Sequence, residues 1–231
     1  MSKTRIVFVH GVDGYGAAAW PAQHRLAGSY DCLFLKRKGF DAVDPPVATD
    51  FAADAESVVE ALGSGGHVVA HAQGAPAAMM AAVERPDLVA SLVLVEPLLA
   101  SLTAELPATA AYSQRVDELY ARAPELDDAR FLREFNALLA SPAVGTQEPE
   151  ARRAARARLQ RPTAEAPLHI IPGVPTMVLT GGWEPLYEEV AGFLASTGAH
   201  HTALRSGPRP QDSPEGARLI EAFIGKSAQA G

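Results

Sequence analysis

Short β-branched, apolar runs alternate along this chain with longer Ala-rich segments of helical period, and that alternation is the strongest constraint on its fold. Six runs read as strands: RIVFVH (5–10), DCLFLK (31–36), HVVAH (67–71), SLVLVE (91–96), TMVLTG (176–181) and HTALR (201–205). Helices are expected near 18–28, 50–62, 74–84, 184–197 and 213–224. The strands are mostly apolar on both faces, as they must be when helices cover a sheet from two sides. The expected class is therefore α/β, a doubly wound, mostly parallel sheet.

The stretch 100–170 breaks the rhythm. It holds the amphipathic segments AAYSQRVDELYARA, DARFLREFNALLAS and PEARRAARARLQR, separated by Pro-containing breaks, and no strand. A helical insertion after a strand end lies over the carboxyl edge of the sheet, where open α/β proteins bind ligands, so it is expected to form a lid. The expected division is a core of 1–99 and 171–231 with a lid at 100–170. The arginines of the third segment, spaced among alanines, are expected on a solvated helix face. A length of 231 residues suits one such domain.

Composition excludes several functions. The 20 Lys and Arg and 27 Asp and Glu give a net charge of −7 with no basic block, so nucleic acid and anionic lipid are not expected partners. Cys32 is the only cysteine, which rules out an intramolecular disulfide and a Cys-based zinc cluster; it is expected to be a small buried hydrophobe. No metal site is expected. HGVDGYG does not keep the G-x-G-x-x-G spacing and the second strand ends LFLKRKG without an acid, so no nicotinamide cofactor is expected. No apolar run approaches about 18 residues. The amino terminus enters a strand at once, without a signal-peptide pattern, so a cytoplasmic protein is expected.

The stretch VVAHAQGAPAAMM (68–80) runs from a strand ending into a small-residue helix. Its bend reads Ala70, His71, Ala72, Gln73, Gly74, with small residues two before and two after the centre, as a sharp strand-to-helix turn requires. Taken in order with VFVHGVDGYGAAAW, LKRKGFDAVDPP, the continuation AAVERPDLVASLVLVEP and PTMVLTGGWEP, this makes the sequence resemble the α/β-hydrolase-fold superfamily over nearly its whole length. The resemblance implies a nucleophile elbow written G-x-S-x-G, with Ala72 at the nucleophile position. It implies an oxyanion loop at His10, Gly11 and Val12, with the Gln73 amide as second donor. His10 would fix that loop or take part in catalysis, and His71, preceding the bend, would point away and pack. The base would follow the last strand, where LRSGPRPQDSPEG places Pro208. His200 and His201 stand at the wrong end of that strand. The acid would be Glu96 or Glu184, unless Glu184 merely caps the next helix and Glu96 pairs with a cation.

An alanine has no attacking oxygen and a proline no titratable group. Losing either the serine or the histidine of such a triad costs about a millionfold in turnover. The leading expectation is therefore non-triad acid/base chemistry (elimination, cyclisation or rearrangement) on a small carbonyl-bearing or lactone-like metabolite. Glu96 or Glu184 would move the proton, backbone amides would face the oxyanion, and Asp13, Tyr15 and Trp20 would wall the pocket. Two alternatives stand beside it: an esterase, thioesterase or lactonase inactivated by a serine-to-alanine change, and a protein that binds a ligand without turnover. Tyr112, Tyr120, Phe131, Phe135 and Asn136 would line the pocket or pack the lid.

Overall fold

A computed structural model describes residues 3–139 and 148–227. Six strands form one parallel sheet: β1 (Arg5–Val9), β2 (Asp31–Phe34), β3 (Gly66–His71), β4 (Val89–Val95), β5 (Thr176–Thr180) and β6 (His200–Ala203), in the order β2-β1-β3-β4-β5-β6. The chain leaves β1 toward β2 on one side and returns to β3 on the other. That reversal opens a crevice at the carboxyl ends of β1 and β3, where sheets of this type take ligands.

Strand alternation assigns the core. Val7, Val9, Val68, Ala70, Leu92, Leu94 and Val178 pack on one face against α1 (Phe51–Leu62), α2 (Ala75–Glu84) and α6 (Pro185–Ser196). Ile6, Phe8, Val69, Val93, Val95, Met177 and Leu179 pack on the other, against Trp20 and α7 (Pro214–Ser227). The strand and helix positions match the sequence expectation to within a few residues, except at 18–28. There the chain forms two 3-10 stretches, Gly16–Ala19 and Pro21–Gly28, in place of one α-helix. Pro21 disfavours helical backbone at the preceding Trp20, which sits at φ −132 and ψ 51 and interrupts the run. Cys32, on the edge strand β2, is half-buried rather than buried, and burial raises its thiol pKa.

Between β4 and β5 come α3 (Pro107–Arg122), α4 (Asp128–Leu139) and α5 (Glu150–Arg158), joined by an apolar cluster of Leu119, Phe131, Leu132, Phe135, Leu139, Ala154 and Ala157. The arginines of α5 do not form a solvated face. Arg156 is buried: it donates twice to Glu148 at 2.6 Å and once to Gly39 O at 3.0 Å, and lies 5.1 Å over both the Tyr15 and Phe40 rings. Arg152 donates to the carbonyls of Asp41 and Asp44, and Arg158 to those of Ala123 and Leu126. The helix lies against loops whose carbonyls lack strand partners, and guanidinium groups satisfy them. Among the described residues no helix is long and apolar enough to cross a membrane.

Candidate active site

The ends of β1 and β3 meet at the bend. Ala72 follows β3 directly and adopts φ 46, a left-handed conformation costly for a residue with a Cβ. Among the described residues only Ala72, Glu96 and Arg209 combine a side chain with positive φ, and all three belong to this one region. Strained backbone of this sort persists only where its surroundings enforce it. The enforcement is visible at Gly74, where a Cβ would stand 2.6 Å from the carbonyl oxygens of both Val9 and His10. On the facing loop a Cβ at Gly11 would touch the Ala72 methyl at 3.3 Å and Gln73 Oε1 at 3.1 Å. Gly11, Ala72 and Gln73 are therefore brought together.

His10 is fully buried. Its Nε2 accepts from the Arg37 backbone N–H at 3.1 Å, so Nδ1 carries the proton and donates to Gly11 O at 2.7 Å. Burial and the nearby Arg37 guanidinium push its pKa down to about 3. The ring is neutral, both nitrogens are engaged, and its work is to hold the Gly11 loop. Arg37 is itself held by Asp54 at 2.8 Å.

Behind the bend lies a buried polar cluster. His71 Nδ1 is 3.6 Å from Asp13 Oδ1, and its Nε2 is 4.0 Å from Glu96 Oε2. The Arg209 guanidinium donates to Asp13, to Asp212 at 2.6 Å and to Ala19 O at 2.6 Å, while its backbone N–H reaches Glu96 Oε2 at 3.4 Å. Trp183 Nε1 donates to Glu96 Oε1 at 2.6 Å. Burial disfavours charge on His71, but the Asp13 carboxylate and, behind it, Glu96 outweigh it and raise its pKa to about 9. Burial likewise opposes charge on Asp13, yet His71 and Arg209 hold its carboxyl well below the ordinary range. Two carboxylates thus face two cations out of contact with water. Among the described residues, no group of three or more His, Cys, Asp and Glu is arranged to hold a metal ion.

Two adjoining clefts open above the bend and share Val12, Phe135, Leu139 and Gln160. One is lined also by Gln73, Leu98, Tyr112 and Tyr120, the other by Asp13, Tyr15, Asn136 and Arg153. Their free volumes are only about 30 and 40 Å³, room for a few waters in each.

The structure thus gathers His10, Gly11, Val12, Asp13, Ala72, Gln73 and Glu96, and puts Tyr15 on the cleft wall. Other expected residues lie elsewhere or act differently. Trp20 is fully buried against Phe8 in the core and walls neither cleft, and Phe131 is buried among the three inserted helices. Glu184 is the N-cap of α6, accepting from Leu186 N–H at 3.4 Å, outside the polar cluster. His71 does not simply pack: the last side chain of β3 turns toward Asp13 and Glu96. His201 contacts Thr180 and Glu188. Pro208 stays partly exposed, and the next residue, Arg209, turns inward at φ 62. Sequence reasoning missed Arg209 and Trp183. The available signal was an arginine between two prolines, since Pro210 disfavours right-handed helical backbone at the residue before it.

Several known structures share this fold. An α/β hydrolase from Sphaerobacter thermophilus superposes with a TM-score of 0.62 at 22% identity, covering 96% of this chain and 93% of that one. NosK from Streptomyces actuosus gives 0.59 at 23% identity, covering 98% and 100%. A variant of an epoxide hydrolase from Bacillus megaterium gives 0.67 at 15% identity, covering 97% and 94%. Comparison with curated protein sequences finds no match. A model of the alpha/beta hydrolase family matches residues 6–218, and the chain belongs to that family.

Proposed function

We propose that this chain is a member of the alpha/beta hydrolase family that binds a small carbonyl-bearing molecule without hydrolysing it through a triad. One observation carries the proposal. Ala72 keeps the strained bend where an attacking oxygen belongs, while Arg209, in the loop expected to supply the base, is locked onto Asp13. A guanidinium stays protonated throughout the physiological range and takes no proton from a nucleophile or from water. What remains is a crevice where Gly11 and Gln73 adjoin, whose backbone amides polarise a carbonyl, covered by a lid made of α3, α4 and α5.

Proton transfer by a carboxylate finds less support. Glu96 spends its oxygens on Trp183, Arg209 and His71, and Glu184 caps a helix. His10 is bonded at both nitrogens. A simple serine-to-alanine inactivation also fits poorly, because restoring the hydroxyl leaves Arg209 where a base is needed.

The test is to assay Ala72→Ser and the double variant Ala72→Ser, Arg209→His against nitrophenyl acetate and butyrate, with mass spectrometry for an acyl adduct. The single variant is expected to stay at the wild-type background. Rapid ester cleavage by the unmodified protein or by Ala72→Ser alone defeats the proposal.

A further inference from the structure

The clefts also indicate the kind of molecule they take. Five arginines lie between 152 and 161. Four are engaged: Arg152 and Arg156 with Glu148, Arg158 with two carbonyls, and Arg161 with Glu165. Arg153 alone among the five has no acceptor among the described residues, although its Nε is buried and its side chain lines the cleft. A buried guanidinium N–H without an acceptor is rare and calls for a physical account.

Local charge points the same way. Among the described residues the cleft wall has two acids, and both are committed: Glu148 to two arginines, and Asp13 to Arg209 and His71. The segment ASPAVGTQ (140–147), which precedes Glu148, contains no acid to supply a counter-ion. Among the described residues, Arg153 is thus the one cation on this cleft without an acceptor, and the cleft joins the Gln73 cleft through Val12 and Phe135.

We propose that Arg153 binds the carboxylate of the ligand, so that the molecule is a small oxo acid or acyl compound with a free acid at one end. Because the clefts as they stand hold only a few waters each, α4 and α5 part to admit it; its carboxylate then meets Arg153 beside Tyr15 and Asn136, its apolar middle passes Val12 and Phe135, and its carbonyl faces Gly11 and Gln73. Guanidinium and carboxylate form the paired, charge-assisted hydrogen bonds that this geometry favours. The assignment of the carbonyl end rests on the function proposed above, whereas the carboxylate end stands on Arg153.

Calorimetric titration of phenylbutanoate, phenylbutanamide and benzoylpropanoate into the wild type, Arg153→Gln and Arg153→Lys separates the two. The wild type is expected to prefer phenylbutanoate over its neutral amide by about tenfold, the size of one charge-assisted contact. Arg153→Gln should abolish that preference, mainly by weakening phenylbutanoate, and Arg153→Lys should keep part of it. The Arg153 guanidinium makes no hydrogen bond or ion pair among the described residues, so the melting temperature of Arg153→Gln should stay at the wild-type value. Equal affinity for acid and amide in the wild type, an unaltered preference in Arg153→Gln, or failure of all three probes to bind overturns the proposal. Preference of benzoylpropanoate over phenylbutanoate reads the carbonyl end by itself. If only that preference is missing, the carbonyl assignment falls and the carboxylate site stands.

Discussion

The Arg209 guanidinium is bonded to the Asp13 carboxylate, joining the loop after the first strand to the loop after the last across 196 residues of sequence. Both side chains are almost wholly buried. Asp13 also faces His71 through its other oxygen, and Glu96 accepts from the Arg209 backbone N–H. On the function proposed above, fixed and mutually compensating charges stand where a triad would exchange protons.

Removing one partner of such a pair leaves an uncompensated charge in a medium that solvates it poorly, typically at a cost of about 3–5 kcal/mol. Arg209→Met and Asp13→Leu should each destabilise the protein by about that much in urea unfolding. The double variant should be less destabilised than the sum of the two, by about 1–3 kcal/mol, because the second change removes the charge that the first one stranded. Strict additivity would show that the pair contributes nothing as a pair.

Two buried histidines shape the dependence of stability on pH in opposite directions. His10 has its pKa lowered from the ordinary 6.5 to about 3, so between those values the unfolded chain binds more protons. Its contribution is complete above 6.5 and is lost as the pH falls. His71 has its pKa raised to about 9, so the native state binds more protons between 6.5 and 9. Its contribution is complete below 6.5 and is lost as the pH rises. The melting temperature should therefore peak near 6.5 and fall on both sides. His71→Gln should flatten the alkaline limb, and His10→Gln should flatten part of the acid limb, which the buried His67 shares. An alkaline limb unchanged in His71→Gln would show that another group governs it.

The strands and the bend were legible because they depend on local pattern: apolar β-branched runs, then small residues where Gly74 meets the carbonyls of Val9 and His10. The loop at His10 and Gly11 was legible for the same reason, since it follows a strand directly. Arg209, Trp183 and the buried side of α5 were not, because their partners are remote. Arg209 is 196 residues from Asp13, Trp183 is 87 from Glu96, and Arg156 is 117 from Gly39. No periodicity in the chain encodes such pairings, and an Ala- and Arg-rich helix looks the same whether its guanidiniums meet water or backbone carbonyls.

Two glycines should respond in opposite ways to the same substitution. At Gly74 an added methyl meets backbone oxygens of β1 and its loop, which cannot move without disturbing the sheet. Gly74→Ala should cost about 3 kcal/mol, at the upper end for overpacking, and loosen the bend. Gly192 lies inside α6, with open space where a Cβ would stand. Gly192→Ala should stabilise by about 1 kcal/mol through helix propensity alone. Thermal unfolding of the two variants beside the wild type measures both, and equal shifts of one sign would contradict the packing described at Gly74.

Glu96 offers the most direct probe of the cluster's electrostatics, because it touches His71 on one oxygen and Trp183 on the other. Trp183→Phe removes the 2.6 Å indole donor and leaves a buried carboxylate oxygen short of a partner, which should cost about 2 kcal/mol. Glu96→Gln keeps an acceptor for the indole but removes one of the two carboxylates that hold the proton on His71. The His71 pKa should then fall from about 9 toward its ordinary value, and the alkaline limb of the stability profile should move to lower pH with it. An NMR titration of the His71 ring in the wild type and Glu96→Gln measures the shift. A ring that titrates identically in both would mean that Asp13 alone fixes its charge, and Glu96 would then be tied to the fold through Trp183 and Arg209 only.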